Sequence, residues 1–209
     1  CFALHAVVIV ARGYFANDTA DAILNSIDGT SIELNLYLTT QLIELGSPVV
    51  SAVNMIDLVR KNGDKSDLNK LSKELGCKAV EISALKGEGC QQAAEAAIAA
   101  AKEAKGVELP HVFTGSVEHA IAHIEESIQG KVEDRFLRWY AVKLCERDDK
   151  VEAELNLGKD VLDHIGQHVT DCENEMDDDA ESIIPNQRTA YINGVVDKAV
   201  KTKARREHL

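Results

Sequence analysis

Apolar positions in the first half of the chain fall alternately in short blocks and at helical spacing. Residues 22–28, AILNSID, form a short block that predicts a strand ending in a turn at Gly29. Residues 32–45 carry apolar side chains at 32, 36, 38, 42, 43 and 45 with no internal Gly or Pro, which predicts a helix with Gly46 just past its end. Pro48, Val49 and Val50 open a second strand that runs to about Val53. A helical turn is expected over 57–60, then a helix capped by Ser66 that runs to Leu75 and stops at Gly76. Residues 77–82, CKAVEI, read as a third strand, residues 83–89 as a small-residue loop, and residues 91–105 as a long alanine-rich helix. This alternation predicts a parallel sheet flanked by helices.

From Ser116 onward the pattern becomes helical. SVEHAIAHIEESI reads as one helix, and residues 132–145 as an amphipathic segment around Trp139. Residues 151–168 read as one or two helices interrupted near 156–158, followed by a loop or frayed helix over the acidic run 171–181. A last helix is expected from Pro185 to Lys203, with Tyr191, Ile192, Val195, Val196 and Ala199 as its buried stripe. Gly106, Pro110 and Gly115 mark a change of polarity, so the chain divides into an α/β region, 1–108, and a mostly α-helical region, 109–209.

Composition narrows the classes. Of the 209 residues 45% are apolar and only 4% aromatic, which points to an interior of Leu, Ile, Val and Ala. A formal charge of -12 argues against a nucleic-acid-binding surface. That charge is uneven: residues 171–181, DCENEMDDDAE, hold seven acids in eleven positions, whereas 201–206, KTKARR, are basic. Five widely spaced cysteines, at 1, 77, 90, 145 and 172, resemble neither a disulfide framework nor a CxxC site, so a reducing cytosol is expected. No run of 18 apolar residues spans a bilayer, and the opening CFALHAVVIVARGYF lacks the marks of a signal peptide.

The stretch VVSAVNMIDLVRKNG carries the chemistry. An apolar strand there ends by presenting Asn54 and, three residues on, Asp57. A carboxylate only accepts hydrogen bonds, and its two oxygens can receive the N1–H and exocyclic amine of guanine together. Adenine offers no such pair of donors on that edge. The ends of parallel strands are where open α/β sheets bind ligands, and the next strand leads into Ser83, Ala84 and Leu85, whose backbone N–H groups can turn toward the same base. N-x-x-D alone also fits a turn-capping Asn54 and a solvated first-turn Asp57.

These motifs resemble those of the bacterial ferrous iron transport protein B family. Asp28-Gly29-Thr30, the segment NLYLTTQLIELG with the following PVV, the guanine motif Asn54-Met55-Ile56-Asp57, the loop Ser83-Ala84-Leu85-Lys86-Gly87 and the stretch RTAYINGVVDKAVKTKARREHL stand here in that family's manner. The resemblance implies part of a Ras-like P-loop GTPase sheet flanked by helices, then a helical domain leading toward a membrane-embedded transporter region. It implies GTP or GDP as ligand, with Mg2+ in the complete family domain, and regulation of Fe2+ uptake at the cytoplasmic face of the bacterial inner membrane. Asp57 would read the guanine ring, Asn54 would contact the base and fix its loop, Met55 would cover the base face in place of the usual lysine, and Ser83, Ala84 and Leu85 would support the base from the other side. Oligomer formation is left open.

The chain departs from that family in its phosphate chemistry. No GxxxxGK[ST] loop is present, and no DxxG element stands ahead of Asn54: neither DTAD at 18–21 nor DGTS at 28–31 supplies it. The expectation is therefore an N-terminally incomplete domain, weak or inactive in GTP hydrolysis, with no catalytic residue assigned. The rival expectation is a non-enzymatic α/β plus helical interaction module in which Asn54 and Asp57 are structural. Residues 7–10 are open to a helix or a substitute strand. His119 with His123, and His164 with His168, have ligand spacing but no obvious third ligand, so they read as partly exposed or packed helix histidines and no metal site is assigned.

Overall fold

The computed structural model describes residues 20–103 and 109–201. The readings that fall on residues 1–19, 104–108 and 202–209 lie outside the described residues. These include the alternatives for 7–10, the end of the alanine-rich helix at Lys105, the turn at Gly106 and the end of the last helix at Lys203.

Three strands, β1 (Ile23–Asp28), β2 (Val49–Asn54) and β4 (Lys78–Glu81), form a parallel sheet in the order β1-β2-β4. Helices α1 (Ile32–Glu44), α2 (Ile56–Lys61) and α3 (Leu68–Leu75) connect them, and α4 (Cys90–Glu103) follows β4. β2 is central, and residues 49–53 along it are all buried. A parallel strand covered on both faces has no solvent side, which is why VVSAV reads as an unbroken small-apolar run. Ala52, Ile82 and Ala93 are buried together, with Val80 and Cys90 against them. Alanines on α4 therefore bring that helix close to the strands. In α1, Ile32, Leu36 and Ile43 are buried along with Thr39, whose hydroxyl takes a hydrogen bond from Asn25 Nδ2 at 2.9 Å. The result is an α/β fold with a small parallel sheet, as the alternation of elements implies.

The register sets the functional rim. Asp28 pairs with Asn54, and Val53 with Glu81, so the C-terminal ends of the three strands lie side by side.

Helices dominate beyond His111: α5 (Gly115–Ile128), a 3-10 turn at Asp134–Phe136, α6 (Leu137–Cys145), α7 (Asp149–Leu155), α8 (Lys159–Met176) and α9 (Ala180–Ala199). Val117, Ile121, Ile124 and Ile128 of α5 are buried, as are Trp139 and Val142 of α6 and Ile165 and Val169 of α8. Cys145 is a core residue, and burial with the neighbouring Cys172 pushes its thiol up to about 12.

The chain forms two compact units. Among the described residues the first takes 20–43, 47–103, 109–110 and 192–201; the second takes 44–46 and 111–191. The sequence places one boundary near 108, whereas here the last helix contributes its residues from 192 on to the sheet-bearing unit. There β5 (Val200–Lys201) pairs antiparallel with β3 (Lys65–Ser66). Among the described residues no helix is long and apolar enough to cross a membrane.

Four local expectations are corrected. Asp67, not Ser66, caps α3, accepting from Lys70 N at 3.1 Å, because Ser66 is drawn into the β3–β5 pairing. Residues 132–145 form a 3-10 turn and a shorter helix instead of one amphipathic element. The acidic run is neither loop nor frayed: α8 carries it to Met176, and α9 takes it up again at Ala180 after a left-handed Asp177. Its Glu173 receives Arg147 Nε at 3.0 Å and Nη2 at 2.6 Å, and the Ala180 N–H at 3.0 Å, which anchors both helix ends. Finally, Pro185 lies inside α9 instead of at its head, and α9 ends at Ala199. The Asp179 carbonyl already holds the N–H groups of Ser182 and Ile183, so the turn before the proline is secured without it.

Candidate functional site

Two loops meet at the C-terminal rim of the sheet. The first leaves β2 at Asn54 and turns sharply through Met55, which adopts a left-handed conformation at φ 59 and caps α2. The second leaves β4 and spans Ser83 to Gly89. Backbone hydrogen bonds join them at their base: Ile82 N–H donates to Val53 O at 2.8 Å and Ile56 N–H to Ile82 O at 3.4 Å.

Asn54 ties them at the top. Its side-chain Oδ1 accepts from Met55 N at 2.8 Å and from Ala84 N, thirty residues on, at 3.0 Å. Both partners are N–H donors, so this atom must be the amide oxygen, and the Nδ2 donors are aimed elsewhere. The neighbouring β1 turn is braced from the same position, because Gly29 N–H donates to Asn54 O at 3.0 Å.

Asp57 occupies the first turn of α2 with its side chain about a quarter exposed (26%). Ser83 Oγ donates to its Oδ1 at 3.3 Å, and Lys86 Nζ stands 3.5 Å from its Oδ2. Desolvation pushes the carboxyl up, but its own backbone N–H, Lys86 and Ser83 together outweigh this and hold it below its ordinary value of 3.8. Asp57 is therefore a carboxylate at neutral pH. Ser83 and Lys86 bear on different oxygens and the backbone N–H adds a third neighbour, so the carboxylate is positioned both by its own turn and by the facing loop.

Four of the residues singled out in the sequence, Asn54, Asp57, Ser83 and Ala84, thus come together. Met55 is exposed on the rim (39%), while Leu85 projects into solvent at 95% exposure. Lys86 was not assigned a role. Its signal was present as a cation in the same short loop as Ser83, but only the fold shows that it reaches Asp57.

Gly89 closes the second loop at φ +74, and a Cβ there would lie 2.2 Å from Glu81 O. At Gly87, with φ +72, a Cβ would meet nothing within 4 Å. Gly87→Ala is therefore expected to cost only the left-handed penalty of about 1–2 kcal/mol. Gly89→Ala must also displace β4 and break the Ser83–Glu88 bridge. Faster amide hydrogen exchange at Ser83 and Glu88 in Gly89→Ala, but not in Gly87→Ala, is the expected result.

Residues 6–97 match the family model for ferrous iron transport protein B, and residues 113–201 that for the FeoB cytosolic helical domain. A GDP-bound variant of S. thermophilus NFeoB superposes with a TM-score of 0.88 at 41% identity, covering 92% of this chain and 74% of that one. The chain belongs to the FeoB family. The mGMPPNP-bound S. thermophilus NFeoB agrees, with a TM-score of 0.85 and 42% identity over 91% of this chain and 71% of that one. The Fe(2+) transporter FeoB of Escherichia coli is 30% identical over 171 residues, 82% of this chain. This chain spans only 22% of that transporter's length. FeoB relatives thus match both the sheet-bearing and the helical sequence.

Proposed function

We propose that this chain recognises guanine nucleotides as the cytosolic regulatory part of a ferrous iron transporter. One observation carries the reading: Asn54 Oδ1 bridges the Met55 and Ala84 amides while Asp57, held by Ser83 and Lys86, presents a charged acceptor beside them. In this reading Asp57 receives guanine N1–H and the exocyclic amine, Asn54 Nδ2 donates to an acceptor of the base, and Met55 lies over the base face. Ser83, Ala84 and Leu85 line the opposite side. GDP in one FeoB neighbour and mGMPPNP in another support the choice of base.

Phosphate handling is the weak part of this chain. The residues present do not fit a magnesium site, because the GxxxxGK[ST] loop whose hydroxyl takes the ion has no match in the 209 residues. The chain therefore discriminates the base but holds the phosphates poorly, and hydrolyses GTP weakly or not at all. In the longer transporter, at the cytoplasmic face of the bacterial inner membrane, the helical unit would carry nucleotide state toward the membrane region and so regulate Fe2+ uptake.

Titrating the chain with GDP and, in parallel, ADP while following amide NMR shifts tests the reading. Shifts at Met55, Asp57 and Ala84 with GDP and none with ADP are expected. Equal responses to both, or none to either, would leave Asn54 and Asp57 as structural members of an interaction module.

A further inference from the structure

The helical unit carries a constellation of its own. α5 lies along α8, and the two histidine pairs that the sequence shows separately meet there. His119 and His123 of α5 stand edge to face with centroids 4.5 Å apart; His123 stacks on His168 at 4.3 Å with 10° between planes; His168 and His164 of α8 stand edge to face at 4.6 Å. All four rings reach the surface: His119 and His164 are exposed, His123 and His168 half-buried.

Within this row, His164 Nε2 and His168 Nε2 are 3.3 Å apart. Two nitrogens bound to one tetrahedral ion at about 2.0–2.1 Å are separated by about 1.6 times that distance, roughly 3.3–3.4 Å. The α8 pair is thus spaced as a chelate. His123 has Glu126 Oε2 3.3 Å from its Nδ1, the carboxylate–imidazole arrangement that fixes a ligating ring and leaves Nε2 for a metal. Among the described residues no group of three such side chains is already arranged around one point. The parallel stack accounts for this: His123 lies over the face of His168 instead of aiming Nε2 past it, and rotation about its side-chain torsions is what separates the two arrangements.

We propose that the α5–α8 histidine row binds one divalent late transition-metal ion, with His164 and His168 as the preformed chelate and His123 rotating to supply the third nitrogen. Three borderline-soft imidazoles select ions of the Zn2+, Ni2+ and Cu2+ class over Mg2+ or Ca2+. His119 flanks His123 as the neighbouring ring, and Asp171, one turn after His168, receives Gln167 Nε2 at 2.7 Å at the edge of the site. Binding ties α5 to α8.

The test uses the whole chain without an affinity tag, with Zn2+ followed by calorimetry at pH 7.5 and Cu2+ by electron paramagnetic resonance. One Zn2+ per chain is expected, with a raised melting temperature and weakening as the pH falls through the imidazole range. Because His164 is exposed, His164→Ala should keep the metal-free melting temperature, yet bind Zn2+ more than about 100-fold more weakly, a larger loss than an outer-shell partner causes. Cu2+ should show three nitrogen ligands, reduced to two in His123→Ala. No uptake at pH 7.5, or uptake undiminished in His164→Ala, overturns the site. A nitrogen count unchanged in His123→Ala overturns the third ligand. A pH-dependent melting temperature without metal uptake would make the row a proton-responsive stack and overturn the proposal as well.

Discussion

Replacing Asp57 by Asn is expected to reverse the base preference of this chain, weakening GDP by about 100-fold and favouring xanthosine diphosphate instead. Each charge-assisted hydrogen bond from guanine to the carboxylate contributes about 1.5–3 kcal/mol. An amide retains one acceptor but turns an NH2 group toward the exocyclic amine, donor against donor. Xanthine replaces that amine by a carbonyl oxygen, which the new NH2 satisfies. The order of GDP and xanthosine diphosphate in competition binding reads this out directly. An unchanged order would mean that Asp57 does not face the base. The pH dependence follows from the sign of its shift. A lowered carboxylate stays charged below its ordinary 3.8, so guanine preference is expected to hold through the usual carboxylate range and to fade only as the pH falls through the depressed value. The stability contributed by the Lys86 and Ser83 contacts follows the same direction, present above the ordinary value and lost on the acid side.

The second large effect concerns stability. Arg188 is fully buried and donates to Glu44 Oε1 at 2.6 Å and Oε2 at 3.0 Å, with its guanidinium 5.3 Å from the Phe113 ring centroid. Arg188→Ala leaves the buried Glu44 carboxylate without this fork. The loss is expected to be about 3–5 kcal/mol, the range for breaking a buried pair from one side. That lowers the melting temperature by roughly 10 °C. The double replacement Arg188→Met with Glu44→Leu should recover most of it, because removing both charges also removes their desolvation cost. Calorimetric melting of the three proteins decides this. A double variant as unstable as Arg188→Ala would show that the lost Phe113 contact and side-chain volume matter more than charge.

Physical reasons separate what could be read from the sequence from what could not. The three parallel strands were legible because each is a short apolar block followed by helical spacing, and Gly46 and Gly76 adopt the left-handed conformation that ends a helix. Helix ends near polar clusters were less so. Ser66 and Asp67 are both good caps, and the choice fell to a strand, Val200–Lys201, more than a hundred residues away. The acidic run gave no hint of order, since its anchor is Arg147, in the turn between α6 and α7. Pro185 suggested a helix start because a proline is a local signal, whereas α9 begins at Ala180, whose N–H donates to Glu173.

By itself the sequence determined the alternation of elements and hence a parallel sheet, and it presented Asn54, Asp57 and the Ser83 loop as adjoining strand ends. Period and motif spacing are local properties, carried by neighbours in the chain. Tertiary structure alone decided that Asn54 Oδ1 bridges to Ala84, that Lys86 reaches Asp57, that Arg188 lies buried on Glu44, and that two separate histidine pairs form one row. Each of these joins residues distant in the chain, and their distances exist only once the elements have been brought together by burying their apolar faces.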